Sequence, residues 1–196
     1  MKLQFATQNE GKLAEAKRVL SRFGIDVIGL PVDLWEPSSG EIQTVTMEKL
    51  RQIRRMGYDR VMVDDAGIFF AAYDHFPGVL TKRVFDRIGY RGVRKLLEGE
   101  DRTAWFEGCI AVSWDGRTGL FSARTSGRIL DPIPDDIRPE AGLPFNPIFI
   151  PDGETRVLAA MTPEEQMKHS YRSRALEQMA EWLLNQQREG FHLFSR

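Results

Sequence analysis

The stretch MKLQFATQNEGKLAEAKRVLSRFGIDVIGL, residues 1–30, decides the fold class. Its apolar run at 2–6 predicts a buried strand, and apolar residues at helical spacing predict a helix over 12–23. Gly24 is placed to end that helix, and residues 25–30 form a second predicted strand. A strand–turn–helix–strand order indicates an α/β fold with parallel strand pairing.

The remaining chain alternates further helices with strands, and no linker long enough to separate two domains interrupts it. The other predicted elements are a helix over 43–56, strands over 60–64 and 67–72, helices over 79–88 and 92–98, a β-hairpin of strands 103–114 and 119–130, a short helix over 162–166 and a last helix over 170–188. We therefore expect one domain spanning residues 1–196.

The composition excludes several classes of protein. The 27 Lys and Arg residues balance 28 Asp and Glu residues, so a strongly basic nucleic-acid binder is not expected. The only cysteine, Cys109, can form neither an internal disulfide nor a cysteine-rich metal site. No apolar run is long enough to span a membrane, and the start of the chain lacks the pattern of a signal peptide. We expect a cytoplasmic protein with no nucleic-acid partner and no membrane partner.

The polar turn Thr7-Gln8-Asn9-Glu10-Gly11-Lys12 links the first strand to a helix N-terminus. The free N–H groups and the dipole of a helix N-terminus attract phosphate, and Lys12 adds a positive charge. The spacing is not that of a Walker loop. The turn is therefore either a phosphate site or a plain capped turn.

The pair Asp64-Asp65, followed by Ala66-Gly67, comes after an apolar run. Two adjacent carboxylates at a strand end can hold Mg²⁺ and orient a water molecule, with Glu41 as a possible third ligand. The same residues also suit a solvated turn. A third polar segment, 166–172, leads into the last helix, where it is either a ligand-facing set or a capped, charged helix start.

Seven segments, in this order, resemble the inosine triphosphatase-like family of nucleoside triphosphate pyrophosphatases, most of all its archaeal members. The segments are FATQNEGK at 5–12, EIQ at 41–43, VDDAG at 63–67, FPGV at 76–79, residues 106–112, PIF at 147–149 and SYRSRAL at 170–176. The resemblance implies an elongated central mixed β-sheet flanked by helices, in two lobes with a nucleotide cleft between them. It also implies a homodimer.

The resemblance further implies Mg²⁺-dependent hydrolysis of ITP, dITP or XTP to a nucleoside monophosphate and pyrophosphate. Carried over by motif, Asp65 and Lys12 are the catalytic residues. Asp65 orients or deprotonates the attacking water, and Arg172 reaches the base. The residues implied to bind the triphosphate are Thr7, Asn9, Lys12 and Lys49. The residues implied to hold the metal are Glu41, Asp64 and Asp65.

The chain departs from the family pattern mainly where the base is bound. Ala66 stands in place of a serine, and Tyr171 in place of a histidine. The usual Phe-Gly-Tyr-Asp loop is Leu143-Pro144-Phe145-Asn146, and a usual lysine corresponds to Gln166, with Lys168 nearby. These positions are candidate substrate contacts. They also leave open an alternative, a nucleotide-binding protein of the same fold with lost or altered catalytic activity.

Overall fold

The computed structural model describes residues 1–193, with side chains through Arg188, as a mixed six-stranded sheet flanked by helices. The α/β prediction is confirmed. In chain order the elements are β1 (Lys2–Ala6), α1 (Glu10–Ser21), β2 (Asp26–Leu30), α2 (Ile42–Arg55), β3 (Val61–Phe70), α3 (Thr81–Leu96), β4 (Thr103–Trp114), β5 (Arg117–Ile129), β6 (Phe149–Pro151), α4 (Pro163–Lys168) and α5 (Tyr171–Leu193). Single 3₁₀ turns span Gly78–Leu80, Asn146–Ile148 and Leu158–Ala160.

The strand order is β2-β1-β3-β4-β5-β6. β1 pairs in parallel with β2 and β3, whereas β3 to β6 pair antiparallel. The predicted hairpin is β4 and β5. The short strand β6 was not predicted, because three residues are too few to show a periodic pattern.

One prediction for the sheet is wrong. The two strands predicted over 60–64 and 67–72 are a single strand, β3, that continues through both acids. Asp64 and Asp65 do not end the strand because lysine side chains bind their carboxylates. Gly67 stays extended and lets another segment approach, since a Cβ there would lie 2.1 Å from the carbonyl oxygen of Gly78.

Two helices also differ in detail from prediction. α1 begins at Glu10 because Asn9 is its N-cap, accepting from the Lys12 N–H at 3.0 Å. The helices predicted over 79–88 and 92–98 are one bent element, α3, whose bend is at Gly89 with φ 54°.

The long strand β3 runs through two hydrophobic cores. Met62 belongs to a core that α1 and α5 cover, whereas Ile68 and Phe70 belong to a second core beneath α3. The two acids lie between these cores, so the fold positions polar groups at the boundary. No helix within residues 1–193 is long and apolar enough to cross a membrane.

Candidate active site

The polar turn of residues 7–12 lies beside the double acid because β1 is much shorter than β3. β1 pairs with β3 only at Gln4–Val61 and Phe5–Met62, and it ends at Ala6. Beyond that point one edge of β3 is free to receive the turn. The Lys12 ammonium accordingly lies 3.0 Å from Asp64 Oδ1.

The turn itself is held by its own side chains. Thr7 Oγ1 accepts from the Asn9 N–H at 3.1 Å, and Asn9 Oδ1 caps α1. Lys12, in the first turn of α1, adds its charge at the positive end of the helix dipole. This arrangement of amide donors and a cation suits an anionic ligand.

Lys49 on α2 binds both Asp65 and Glu36. Its ammonium is 2.8 Å from Asp65 Oδ1, 2.6 Å from Glu36 Oε1 and 3.3 Å from the Asp64 carbonyl oxygen. Burial lowers the pKa of Lys49, but Asp65 and Glu36 outweigh it, so the pKa is raised and the ammonium stays protonated.

Gln52, one turn further along α2, holds the backbone that carries Glu36. Its side-chain oxygen accepts from the Trp35 N–H at 2.9 Å, and its side-chain nitrogen donates to the Trp35 carbonyl oxygen at 2.9 Å. The Glu36 carboxylate is thereby presented to Lys49 from an otherwise irregular segment.

The two adjacent acids have opposite pKa shifts. Burial would raise the pKa of Asp64, but Lys12 and Arg172 outweigh it, and the pKa is lowered. Burial raises the pKa of Asp65, and Lys49 only partly offsets this effect. Asp65 Oδ2 is buried and has no hydrogen-bond partner. Asp65 therefore combines a raised pKa with a free carboxylate oxygen, as a general base does.

Arg172 on α5 ties this centre to α1. Its Nε donates to Asp64 Oδ2 at 3.2 Å, its Nη1 to Glu15 Oε2 at 2.7 Å and its Nη2 to the Tyr171 hydroxyl at 3.2 Å. Glu15 Oε1 also accepts from the hydroxyls of Ser170 and Ser173. Three of the five guanidinium donors are thus engaged by protein groups.

Tyr171 has a close-fitting position over the sheet. Its ring stacks on Phe106 with centroids 5.7 Å apart, and a Cβ at Gly108 would lie 2.4 Å from Tyr171 Cε2. A side chain at position 108 would therefore displace the tyrosine ring.

Lys12, Lys49, the two acids, Tyr171 and Arg172 line one cleft of about 1120 Å³, slightly above the usual range for a small-molecule site. The segment 139–146 forms another wall of the cleft, and its Gly142 lies next to Asn9 of the polar turn. In this wall Phe145 is packed against Phe70 and Phe85, whereas Leu143 is partly exposed at the cleft surface.

Twelve of the fifteen site residues predicted from the sequence line this cleft. They are Thr7, Asn9, Lys12, Lys49, Asp64, Asp65, Ala66, Leu143, Phe145, Asn146, Tyr171 and Arg172.

Three predicted residues are not brought to the cleft. Glu41 is exposed at the N-cap of α2, and two helical turns, roughly 12 Å, separate it from Lys49. Gln166 donates instead to the carbonyl oxygens of Leu158 and Met161, at 2.9 and 3.3 Å. Lys168 is exposed at the end of α4.

Sequence reasoning missed Glu36 and Glu15. Glu36 lies in an irregular segment with prolines at 31 and 37, where periodicity carries no information. Glu15 follows Lys12 by three residues on α1, and that spacing places both side chains on one face. The helical spacing from Lys12 was thus a usable signal for Glu15.

Within the described residues, no group of three or more His, Cys, Asp or Glu side chains is close enough to hold a metal ion. Lys12 and Lys49 instead neutralise the carboxylates. The unpartnered Oδ2 of Asp65 is nevertheless a carboxylate oxygen of the kind that Mg²⁺ prefers.

A mixed α/β sheet with a cleft in which lysine and arginine side chains are paired with two adjacent acids is the kind of site that binds a phosphorylated small molecule. The chain belongs to the Ham1 family, whose pattern it matches over residues 3–182.

Curated relatives and solved structures align with this chain over nearly its whole length. It is 38% identical over 184 residues to a dITP/XTP pyrophosphatase of Thermococcus kodakarensis, covering 93% of this chain and 97% of that one. It is 39% identical over 187 residues to a dITP/XTP pyrophosphatase of Methanopyrus kandleri, covering 94% and 97%. A HAM1 protein structure from Coxiella burnetii superposes with a TM-score of 0.76 at 25% identity, covering 94% and 99%.

Proposed function

We propose that this protein hydrolyses noncanonical purine nucleoside triphosphates, with ITP, dITP and XTP as substrates, to the nucleoside monophosphate and pyrophosphate. The observation that carries the proposal is the pairing of Lys12 with Asp64 and of Lys49 with Asp65 in one cleft. The names of the relatives, dITP/XTP pyrophosphatases, support the same reaction.

The triphosphate is bound at the polar turn. The first N–H groups of α1, the Thr7 hydroxyl and the Lys12 ammonium supply donors and positive charge to phosphate oxygens. Phosphoryl transfer depends mainly on such alignment and charge neutralisation, with little covalent participation by the protein.

Asp65 orients and deprotonates the attacking water. Its Oδ2 is free to accept a hydrogen bond, and its raised pKa makes it a better proton acceptor than an ordinary carboxylate. Lys49 holds the other oxygen of the same carboxylate and so fixes its orientation.

Mg²⁺ would be held by the free Oδ2 of Asp65 together with phosphate oxygens of the substrate, with Asp64 adjacent. The acid that shares Lys49 with Asp65 is Glu36 and not Glu41, which was predicted from the sequence. When bound, the ion neutralises negative charge on the phosphates. When no metal ion is bound, Lys12 and Lys49 neutralise these carboxylates by forming ion pairs with them.

The base is bound by Arg172, Tyr171 and the cleft wall 139–146. Arg172 carries N–H donors, which suit the oxygen of a keto purine. Such an activity would remove damaged purine nucleotides from the cytoplasmic pool.

The test is pyrophosphate release from a panel of ITP, dITP, XTP, ATP and GTP, with Mg²⁺ and with EDTA. We expect release from ITP, dITP and XTP with Mg²⁺ only, and much less release from ATP and GTP. The second candidate is a nucleotide-binding protein without efficient turnover, which the altered residues Ala66, Asn146 and Tyr171 favour. Tight ITP binding by calorimetry without pyrophosphate release would favour that candidate.

We also propose a homodimer formed through the sheet face of the β4–β5 hairpin. Along β5 alternate side chains from Leu120 to Arg128 are exposed, and Leu120 is 42% exposed. An exposed large aliphatic residue on an uncovered sheet face suits an interface. Light scattering should give twice the 22.4 kDa chain mass, and a species of 22.4 kDa would contradict the dimer.

A further inference from the structure

The cleft wall formed by residues 139–146 is irregular and crosses the cleft to the polar turn. Its Gly142 has φ 74°, and a Cβ there would lie 3.2 Å from Asn9 Nδ2. The wall therefore packs its tip against a residue proposed to bind phosphate. Small movements of this segment alter the space between the base side and the phosphate side of the cleft.

Hydrogen bonds within the wall shape it locally but do not tie it to the rest of the protein. The Leu143 N–H donates to the Glu140 carbonyl oxygen at 3.0 Å, and the Asn146 N–H donates to the Leu143 carbonyl oxygen at 3.1 Å. Phe145 anchors one end by ring contacts with Phe70 and Phe85.

Tyr90 supplies a polar tie from a separate helix. It follows Gly89, at the bend of α3, and its hydroxyl donates to the Pro144 carbonyl oxygen at 2.6 Å. Its ring is buried in the second core and makes an edge contact with Phe85, with centroids 5.0 Å apart. A packed ring leaves the hydroxyl little freedom to move away from Pro144.

The hydroxyl of Tyr90 remains a donor over the working pH range. Burial, with a smaller contribution from Glu140, raises its pKa to about 12. Loss of the hydroxyl proton therefore does not break the hydrogen bond to Pro144 near neutral pH.

We propose that Tyr90 is a positioning residue that sets the base side of the cleft through the Pro144 carbonyl, and thereby the discrimination between keto and amino purines. Pro144 belongs to the segment Leu143-Pro144-Phe145-Asn146, which stands in place of the base-binding loop of the family pattern. This inference rests on the proposed function.

The proposal predicts that loss of the Tyr90 hydroxyl weakens nucleotide binding and leaves the rate of the chemical step unchanged. Tyr90 contacts the wall but not Asp65 or Lys49, which lie on β3 and α2. Loss of the Tyr90 hydroxyl leaves Phe145 packed but removes the hydrogen bond to the Pro144 carbonyl oxygen. A looser wall weakens nucleotide binding and base choice, while the water-activating centre is unchanged.

The experiment compares Tyr90→Phe with Tyr73→Phe as a matched control. The Tyr73 hydroxyl also donates to a backbone carbonyl, that of Leu96, but Leu96 does not line the cleft, whereas Pro144 does. Each substitution removes one hydroxyl and keeps a phenyl ring.

Three readouts follow. Hydrogen exchange of peptides covering 139–146, in substrate-free protein, should be faster in Tyr90→Phe only. The KM for ITP should rise about 3- to 10-fold with kcat within about 2-fold of wild type, the range that one lost hydrogen bond gives. The ratio of the Kd for AMP to that for IMP should fall by a similar factor.

Binding of the two monophosphates keeps the inference separable from the proposed reaction. If the wild type releases no pyrophosphate, the proposed function fails, and the AMP-to-IMP ratio still decides the role of Tyr90. An unchanged ratio in Tyr90→Phe, or an equal change in Tyr73→Phe, overturns the inference. A lower kcat at constant KM overturns it as well.

Discussion

Lys49 Nζ lies 2.8 Å from Asp65 Oδ1, while Oδ2 of the same carboxylate is buried without a hydrogen-bond partner. One oxygen is thus held and the other is available. A buried polar atom without a protein partner is costly, so it calls for an explanation such as a bound water, an ion or a catalytic role. This asymmetry within one carboxylate is the basis for assigning Asp65 as the water-activating residue.

Replacing Asp65 by asparagine should abolish turnover and leave the fold intact. An amide can still accept from Lys49 but is a poor proton acceptor, and loss of a positioned base costs roughly 10²–10⁴-fold in rate. Pyrophosphate release from ITP measures the effect, and circular dichroism checks the fold.

The control for this substitution is Asp59→Asn. Asp59 is bound by the Ser113 hydroxyl and the Gly116 N–H and does not line the cleft. It should retain wild-type turnover. If Asp65→Asn also hydrolyses ITP at the wild-type rate, the assignment of Asp65 is wrong.

Replacing Lys12 by alanine should weaken triphosphate binding much more than monophosphate binding. Lys12 is proposed to contact the phosphate chain, and IMP lacks the distal phosphates of ITP. Calorimetry with a non-hydrolysable ITP analogue and with IMP measures both. Lys17→Ala, on the exposed side of α1, should change neither affinity. Equal losses for both ligands in Lys12→Ala would contradict a contact with the phosphate chain.

Replacing Glu15 by glutamine should loosen Arg172 and raise the KM for ITP. The same change should cost about 1.5–3 kcal/mol in the free energy of unfolding near neutral pH, because a charge-assisted hydrogen bond is lost. Burial would raise the pKa of Glu15, but Arg172, Ser170 and Ser173 outweigh it, and the pKa is lowered.

The lowered pKa of Glu15 determines how the stability loss in Glu15→Gln depends on pH. A lowered pKa in the folded state stabilises the protein above the ordinary value of 4.5, and the stabilisation is lost as pH falls through the folded-state pKa. The difference in unfolding free energy between wild type and Glu15→Gln should therefore shrink below pH 4.5. A difference that stays constant from pH 7 to pH 3 would show that the Glu15 charge is not responsible.

The phosphate side of the cleft could be predicted from the sequence because its residues occur in short, contiguous segments. Lys12 and Asn9 belong to one turn, and Asp64 and Asp65 are adjacent. A local segment of this kind keeps its internal geometry whatever the rest of the chain does. The folded strand order then needed only to place the turn beside the acids.

The third acid could not be predicted in the same way. Glu41 and Glu36 are five residues apart, and only the tertiary fold separates them: Glu41 starts α2, while Gln52 holds the segment of Glu36 near Lys49. The single strand β3 was missed for a related reason. Adjacent acids look like a turn unless the lysines that neutralise them, distant in sequence, are known.

The base side of the cleft differs from the family pattern at Tyr171, and the structure shows what that tyrosine does. Its hydroxyl accepts from Arg172 Nη2 at 3.2 Å, and its ring stacks on Phe106 above Gly108. Arg172 is thus partly turned toward protein groups. A site built to hydrogen-bond a keto purine rejects mismatched bases because a mismatch leaves buried polar groups unpaired. When protein groups already bind some of the Arg172 donors, a mismatched base leaves fewer donors unpaired and costs less free energy.

We therefore predict that a preference for ITP over ATP exists but is narrower than in relatives that carry Ser-His-Arg at these positions. The measurement is the ratio of kcat/KM for ITP to that for ATP at matched Mg²⁺. Tyr171→His should widen the ratio, by about 10-fold if one donor of Arg172 is released to the base.

Tyr171→Phe separates the two contributions of the tyrosine, because it removes the hydroxyl and keeps the stacked ring. It should widen the ratio as well if the hydroxyl bond to Arg172 is what limits base choice. A ratio unchanged in both variants, or a wild-type ratio as large as that of such a relative, would show that Tyr171 does not set the preference.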